Sequence, residues 1–214
     1  MTDLIRYILE CAGTIAFAVS GALVAISAGL DLFGVTFIGA VTAVGGGMLR
    51  DILLGITPPT ALRDLTAIIV AVVVSLIVFI VSYRMHEKFG VVKHKIEHVN
   101  NFFDAVGLAA FTVTGAEVAI GSGYSDNFFL PVLLGMITGV GGGIFRDILT
   151  NFTPCVLVKR IYALASIAGG LIYYFLSGVN STLASAVAIV IVIAIRILAT
   201  KFHWSLPKVE LKDE

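Results

Sequence analysis

Charge is what this sequence has least of. Asp, Glu, Lys and Arg make up only 13% of its 214 residues, 58% are hydrophobic, and mean hydropathy is +1.03. Water-soluble domains run at about 25% charged and roughly 45–50% apolar, so that class is excluded. The few charges cancel, 14 basic against 14 acidic, which leaves no basic surface for a nucleic-acid partner. Cysteine is nearly absent too. Cys11 falls in the first apolar run and Cys155 just past the fifth, which the topology below puts on opposite sides of a membrane. Free thiols are expected and no disulfide. Also missing are a Walker motif, a nucleophile elbow and any Ser/His/Asp arrangement, so enzymatic activity and a cofactor have no support. His86, His94 and His98 lie in a mixed-charge loop without the acidic or cysteine cluster of a metal site. They read as solvated, and no resident metal is expected.

What the sequence has instead is length of apolar run. Charge-free stretches extend over Cys11–Leu30, Leu32–Leu49, Leu65–Tyr83, Asn127–Phe145 and Ile161–Ile195. About 20 such residues cross a bilayer as a helix. The last stretch is too long for one crossing and is divided by the turn signal SGVNS at 177–181. A further run around 105–123 is interrupted only by Glu117. Seven candidate spans follow, at approximately 8–28, 33–55, 64–83, 102–122, 128–150, 158–177 and 181–199. The expectation is an all-α polytopic membrane protein with one transmembrane domain over 1–200 and a short tail at 201–214. The first run is too long and too well integrated with the rest for a removable signal peptide.

The spans repeat. TAVGGGMLRDILLGITPP at 42–59 pairs with TGVGGGIFRDILTNFTPC at 138–155 at an offset of 96, and AFAVSGALVAI at 16–26 pairs with AFTVTGAEVAI at 110–120 at an offset of 94. Repeat 1 covers about 5–83 and repeat 2 about 102–177, joined by the polar linker 84–101 and followed by the seventh span. Three spans per unit is an odd number, so the second copy starts on the opposite face of the membrane. Inverted repeats of this kind place transport pathways at the repeat interface.

Orientation follows from Lys and Arg in the short loops. Arg84, Lys88, Lys93, Lys95, Lys159, Arg160, Lys201, Lys208 and Lys212 fall on one side, and only Arg6 and Arg63 on the other. Nine against two places the C-terminus and the linker in the cytoplasm and the N-terminus outside, in a cell (inner) membrane.

Gly45, Gly46 and Gly47, and their mates Gly141, Gly142 and Gly143, lie near mid-span. Glycine is a poor helix former, and two readings compete. In one, each triplet kinks its helix and bares carbonyls to a polar cavity, where carbonyls and the nearby Thr42 and Thr138 hydroxyls suit a partly dehydrated alkali cation. In the other, small residues simply let helices approach. Gly39, Ala43 and Gly47 form an i, i+4, i+8 stripe, as do Gly135, Gly139 and Gly143. Gly45, Gly46, Gly141 and Gly142 lie off that stripe, so packing is not expected to require them.

Arg50-Asp51 and Arg146-Asp147 follow the triplets within about 6 Å along the axis. Inversion puts one pair at the outer mouth and one at the cytoplasmic mouth. Ionisable residues inside a membrane are functional candidates. The alternative is that Arg reaches the headgroups while Asp ties down a neighbouring helix end. Neighbours on a helix point in different directions, so Arg and Asp are not required to pair with each other. Ser20 and its mate Thr114 are pore-lining candidates that could equally bond back to their own helices. Glu117, whose mate is Leu23, is the one acid deep in a span; it must face protein or water and is a further pore-lining candidate. Glu10 and Asp104 match near the starts of spans 1 and 4 and read as capping or interfacial charges.

At AVSGALVA, TAVGGGMLRDILLGITPP, DAVGLAAFTVTGAEVA and TGVGGGIFRDIL the sequence resembles prokaryotic members of the trimeric intracellular cation (TRIC) channel family, a bacterial group also described as glycine transporters. The resemblance covers about residues 5–200. It implies seven helices in two inverted repeats plus one, in a homotrimer whose every subunit has a pore bounded by the kinked second and fifth spans. It also implies conduction of monovalent cations, mainly potassium and sodium, and a pore role for Gly45–Gly47 and Gly141–Gly143. The tail KFHWSLPKVELKDE departs from the basic tail of animal members and speaks against their style of lipid regulation. Expected partners are the bilayer, monovalent cations and two further copies of the chain. Secondary transport of a small solute such as glycine is the competing function.

Overall fold

Each apolar run is a helix. The computed structural model describes residues 3–89, 93–158, 161–202 and 204. The helices are α1 (Asp3–Ser27), α2 (Leu32–Leu53), α3 (Thr60–Arg63), α4 (Thr66–Phe89), α5 (Lys93–Gly121), α6 (Phe129–Leu149), α7 (Cys155–Val158), α8 (Tyr162–Ser177) and α9 (Ser181–Lys201). No strand occurs among the described residues. Lys159, Arg160, Lys208, Lys212, most of the tail, and the side chains of His86, Lys88, Lys93, His94 and Lys95 lie outside the described residues.

Local chemistry sets the ends. Asp31 caps α2 by accepting the Gly34 amide at 2.8 Å, and Asn180 caps α9 by accepting the amides of Thr182 and Leu183, each at 3.0 Å. A short polar acceptor before a helix satisfies donors that have no intrahelical partner. This is how the long run 161–195 divides into α8 and α9.

One expectation about the spans is met in part and one changes. Six of the seven expected spans are helices of spanning length and composition, and the other, α8, is an apolar helix of 16 residues. Sixteen residues reach about 24 Å at 1.5 Å per residue, short of a roughly 30 Å hydrocarbon core. The segment 84–101, expected as a polar linker, is mostly helix: α4 runs on to Phe89 and α5 starts at Lys93. Its Lys, Glu, His and Val residues are compatible with a helix, so charge alone does not end one.

The centre is α1, α2, α5 and α6. In their apolar windows α5 is 67% buried and α6 61%, whereas α4 is 11% and α9 28%. α4 and α9 therefore present most of their surface outward. Phe17, Ala18, Ala43, Ala71 and Phe111 form one central cluster. Leu108, Ala109, Val140, Tyr162, Ala165 and Val192 form another, tying α8 and α9 to α5 and α6.

Candidate functional site

The two triplets meet. A Cβ built on Gly46 would overlap the carbonyl of Thr138, and one built on Gly142 would overlap the carbonyl of Thr42. Gly46 and Gly142 are repeat mates, and so are Thr42 and Thr138. The contact is thus reciprocal, as a pseudo-twofold relation between α2 and α6 requires. A Cβ on Gly141 would lie 3.0 Å from the Gly46 α-carbon, and one on Gly45 2.8 Å from the Phe145 ring.

This corrects the reading of the glycines in two respects. α2 and α6 run through Gly45–Gly47 and Gly141–Gly143 as unbroken helix, so the expected non-helical carbonyls are not there. The off-stripe glycines Gly46 and Gly142 are required by packing, as the stripe glycines Gly39, Gly135 and Gly139 also are. Gly47, on the stripe, has its nearest neighbouring atom at 3.7 Å, and Gly143 meets the Tyr162 hydroxyl at 3.2 Å. The physical reason is the crossing itself: its closest point falls one residue before the stripe's last member.

Thr42 and Thr138 are fully buried. Their hydroxyls donate to the carbonyls of Ile38 and Leu134, both at 2.6 Å. Their side chains lie against Gly21 of α1 and Gly115 of α5, which are also repeat mates. The hydroxyls thus sit in helix crossings with their protons already engaged.

The Arg-Asp pairs do pair internally. Arg50 Nε and Nη2 donate to Asp51 Oδ1 at 2.9 and 2.7 Å, and Arg146 Nε donates to Asp147 Oδ1 at 2.8 Å. Each aspartate's other oxygen reaches forward to the next short helix. Asp51 Oδ2 accepts the Thr60 amide of α3 at 2.8 Å, and Asp147 Oδ2 accepts the Cys155 amide of α7 at 2.7 Å. The turns between are alike. Gly55 and its mate Asn151 both have positive φ, 72° and 59°. The following amides of Ile56 and Phe152 return to the carbonyls of Asp51 and Asp147, both at 2.8 Å. A left-handed residue just past a helix, with such a returning amide, is the Schellman end. The expectation that each aspartate ties down a neighbouring helix end holds. Arginine extension to headgroups does not: Arg146 is 1% exposed and Arg50 9%.

Beyond this shared frame the two ends differ. Arg146 Nη1 donates to Asp104 Oδ1 at 2.8 Å and to the Ser20 hydroxyl at 2.6 Å. Asp104 also meets Arg196 Nη2 of α9 at 3.6 Å and accepts the Tyr162 hydroxyl at 3.2 Å. The Arg196 guanidinium lies over the Tyr162 ring, 4.5 Å from its centroid. Two guanidiniums and two carboxylates are balanced in a dry place, where removing one partner strands the others. Asp104 is 3% exposed, so it is neither a cap nor an interfacial charge. The sequence reading gives Asp104 only that capping or interfacial role and does not single out Arg196; an acid and an arginine within apolar helices were the available signal.

A cavity opens at each end of the bundle. One, of about 460 Å³, is walled by Leu23, Ser27, Glu97, Asn100, Arg146, Asp147 and Cys155. The other, of about 170 Å³, is walled by Glu10, Cys11, Thr14, Gly47, Arg50, Asp51, Asp64 and Phe111. The first lies beside the end of α1 and the second beside its beginning, so the two Arg-Asp pairs and the two cysteines sit at opposite ends of the molecule. Ser20 joins the first through Arg146 and also donates to Asn100 Oδ1 at 2.7 Å. Thr114, its mate, donates only weakly to the Phe111 carbonyl at 3.5 Å. Glu117 is half-buried on α5 and is part of neither cavity wall. At the smaller cavity, the Asp64 carboxyl is held below its ordinary pKa by hydrogen bonds from the Thr66 hydroxyl and amide.

Known proteins share this architecture. A family model described as glycine transporter matches residues 7–83 and 101–178, one match per repeat. A prokaryotic TRIC channel crystallised in 0.5 M KCl superposes with a TM-score of 0.87 at 36% identity, covering 96% of this chain and 100% of that one. The chain belongs to the TRIC family. The TRIC trimeric intracellular cation channel orthologue from Rhodobacter sphaeroides superposes at 0.84 with 29% identity, over 94% of this chain and 99% of that one. Among sequence relatives, the UPF0126 inner membrane protein YadS of Escherichia coli K12 is 37% identical over 97% of both chains. The UPF0126 membrane protein YvgT of Bacillus subtilis 168 is 36% identical over 94% of both. This TRIC protein is accordingly an all-helical membrane protein whose structural relatives are cation channels.

Proposed function

We propose that the protein is a passive channel for monovalent cations, potassium and sodium, with one pore in each protomer of a homotrimer. The observation that carries this reading is the pair of cavities at opposite ends of α1, each ending against an Arg-Asp pair and separated by the α2–α6 crossing. In this conformation the path is shut. A relative movement of α2 and α6, which touch chiefly through glycine, would open the path beside Gly45–Gly47 and Gly141–Gly143. The larger cavity, with Arg146, faces the cytoplasm and the smaller, with Arg50, faces outward, consistent with the loop charges. Acidic and amide groups at both mouths, Glu97 and Asn100 within and Glu10 and Asp64 without, suit cation entry. Recording from the purified protein in a planar bilayer with asymmetric potassium chloride tests this. Single-channel currents that reverse at the potassium potential are expected, and the absence of voltage-driven current would overturn the reading.

Carriage of a small zwitterion such as glycine is the second reading. One observation favours it: the outer cavity holds a guanidinium, Arg50, together with the carboxylates of Glu10 and Asp64, which could meet a carboxylate and an ammonium. Saturable glycine uptake by proteoliposomes, with no current under voltage alone, would select it.

A further inference from the structure

Phe17 of α1 and Phe111 of α5 are repeat mates, at the offset of 94 that also pairs Ser20 with Thr114. Their ring centroids lie 5.3 Å apart at 41°. The arrangement is reciprocal: a Cβ on Gly13 of α1 would press on the Phe111 ring, and one on its mate Gly107 of α5 would overlap the Phe17 ring. Each ring is therefore seated on a glycine of the opposite repeat, at the pseudo-twofold relation of the four central helices.

Their place along α1 gives this pair a role. Thr14 is the last α1 residue on the outer cavity, and Leu23 is the first on the inner one. Nine residues separate them, about 13–14 Å of helix. Phe17 lies in that interval and is fully buried, while Phe111 is 8% exposed and forms part of the outer cavity's wall. Three residues beyond Phe17, Ser20 is already bound to Arg146 of the inner cavity. Between the two wet ends stand two aromatic rings with no polar atom on either.

We propose that Phe17 and Phe111 form an apolar seal that separates the two cavities and determines permeation, so that a cation passes only when the rings part. Apolar constrictions close a path by excluding water, without physical blockage being complete. Each glycine lets the ring of the opposite repeat lie directly against its helix backbone, where a Cβ would clash, so the closed pair is tightly fitted. The proposal rests on the channel reading above, but its test does not need conduction.

The chain carries two cysteines, and each is in a different cavity: Cys11 in the outer, Cys155 in the inner. A small, charged, membrane-impermeant methanethiosulfonate, applied to one face of sealed right-side-out or inside-out membrane vesicles, reports water continuity by mass spectrometry of the two thiols. In the unaltered protein each face should give one labelled cysteine, Cys11 from outside and Cys155 from inside. In Phe17→Ala/Phe111→Ala, reagent from either face should reach both, and cation efflux from proteoliposomes should rise on the order of tenfold. Phe111→Ala alone, which trims a ring already on a cavity wall, should give the same change at smaller size if the double variant does not fold. Labelling of both thiols from one face before any substitution would overturn the seal. So would sided labelling that persists in a folded Phe111→Ala protein whose flux is unchanged. Loss of sidedness without any voltage-driven current would uphold the seal while removing the channel reading.

Discussion

The α-carbon of Gly46 is seated against the backbone carbonyl of Thr138, closely enough that a methyl group there would overlap it. Gly142 stands in the same relation to Thr42. Backbone cannot swing aside as a flexible side chain can, so Gly46→Ala and Gly142→Ala must push α2 and α6 apart. Overpacking of a tight contact costs about 1–3 kcal/mol. Each variant should melt at lower temperature in detergent. Gly47→Ala, with its nearest neighbouring atom at 3.7 Å, should match the unaltered protein or exceed it, because alanine favours helix over glycine by roughly 0.5–1 kcal/mol.

Asp104 and Glu10 are repeat mates with unequal work. Asp104 engages Arg146, Arg196 and Tyr162. Glu10 is a partly exposed wall of the cavity beside Arg50. Asp104→Ala leaves two buried guanidiniums short of a partner, and breaking a buried ion pair from one side costs about 3–5 kcal/mol. Glu10→Ala should stay within about 0.5 kcal/mol, as surface changes usually do. Thermal unfolding of the two variants in the same detergent compares them, and equal losses would remove the asymmetry between the ends.

That asymmetry marks where sequence reading stops. The doubled GGGxxRD and the long apolar helices follow from spacing and period, whereas the meeting of the two repeats through Gly46 and Gly142 does not. Nor do the partners of Arg146. Its contacts reach Asp104 and Ser20, 42 and 126 residues away, and Arg196 enters from α9, which has no repeat mate. A capping role for Asp104 was reasonable from its place near a span start. It failed because α5 begins nine or more residues earlier than its apolar run, at Lys93, which moves Asp104 from a helix end to mid-helix. For the glycines, an i, i+4 stripe gives a face but not the point along it where two helices touch.

Asp64 supplies a pH prediction outside the spans. Its carboxyl titrates below the ordinary value because the Thr66 hydroxyl and amide donate to the ionised form. A depressed carboxylate stabilises the fold above its unfolded pKa of about 4 and loses that contribution as pH falls through the folded value. Thr66→Ala removes the hydroxyl, the larger cause, so the Asp64 pKa should rise toward ordinary. Carboxyl carbon chemical shifts over an acid titration measure this; an unmoved midpoint would deny the hydroxyl its role.

The inverted arrangement makes a topological prediction. A reporter fused after residue 214 and one inserted in the 84–101 segment should both read cytoplasmic, following the nine-to-two bias of loop Lys and Arg. Either reporter on the outside would exchange the two mouths and assign Arg146 to the outer one.

Gly47 offers the cleanest separation of permeation from packing. It lines the cavity beside Arg50 and is clear of the α2–α6 crossing. Leucine at this position would project into a space of about 170 Å³ and fill much of it, leaving the Gly46–Thr138 contact alone. Gly47→Leu should therefore insert, fold and melt much as the parent does, yet conduct roughly tenfold less, a barrier increase of about 1.4 kcal/mol. Gly46→Leu should instead fail at folding, because its side chain has only the Thr138 backbone to meet. Cation flux measured at equal incorporation, alongside a melting curve for each variant, distinguishes the two effects. Full flux in a folded Gly47→Leu protein would move the path out of the cavity that Arg50 closes.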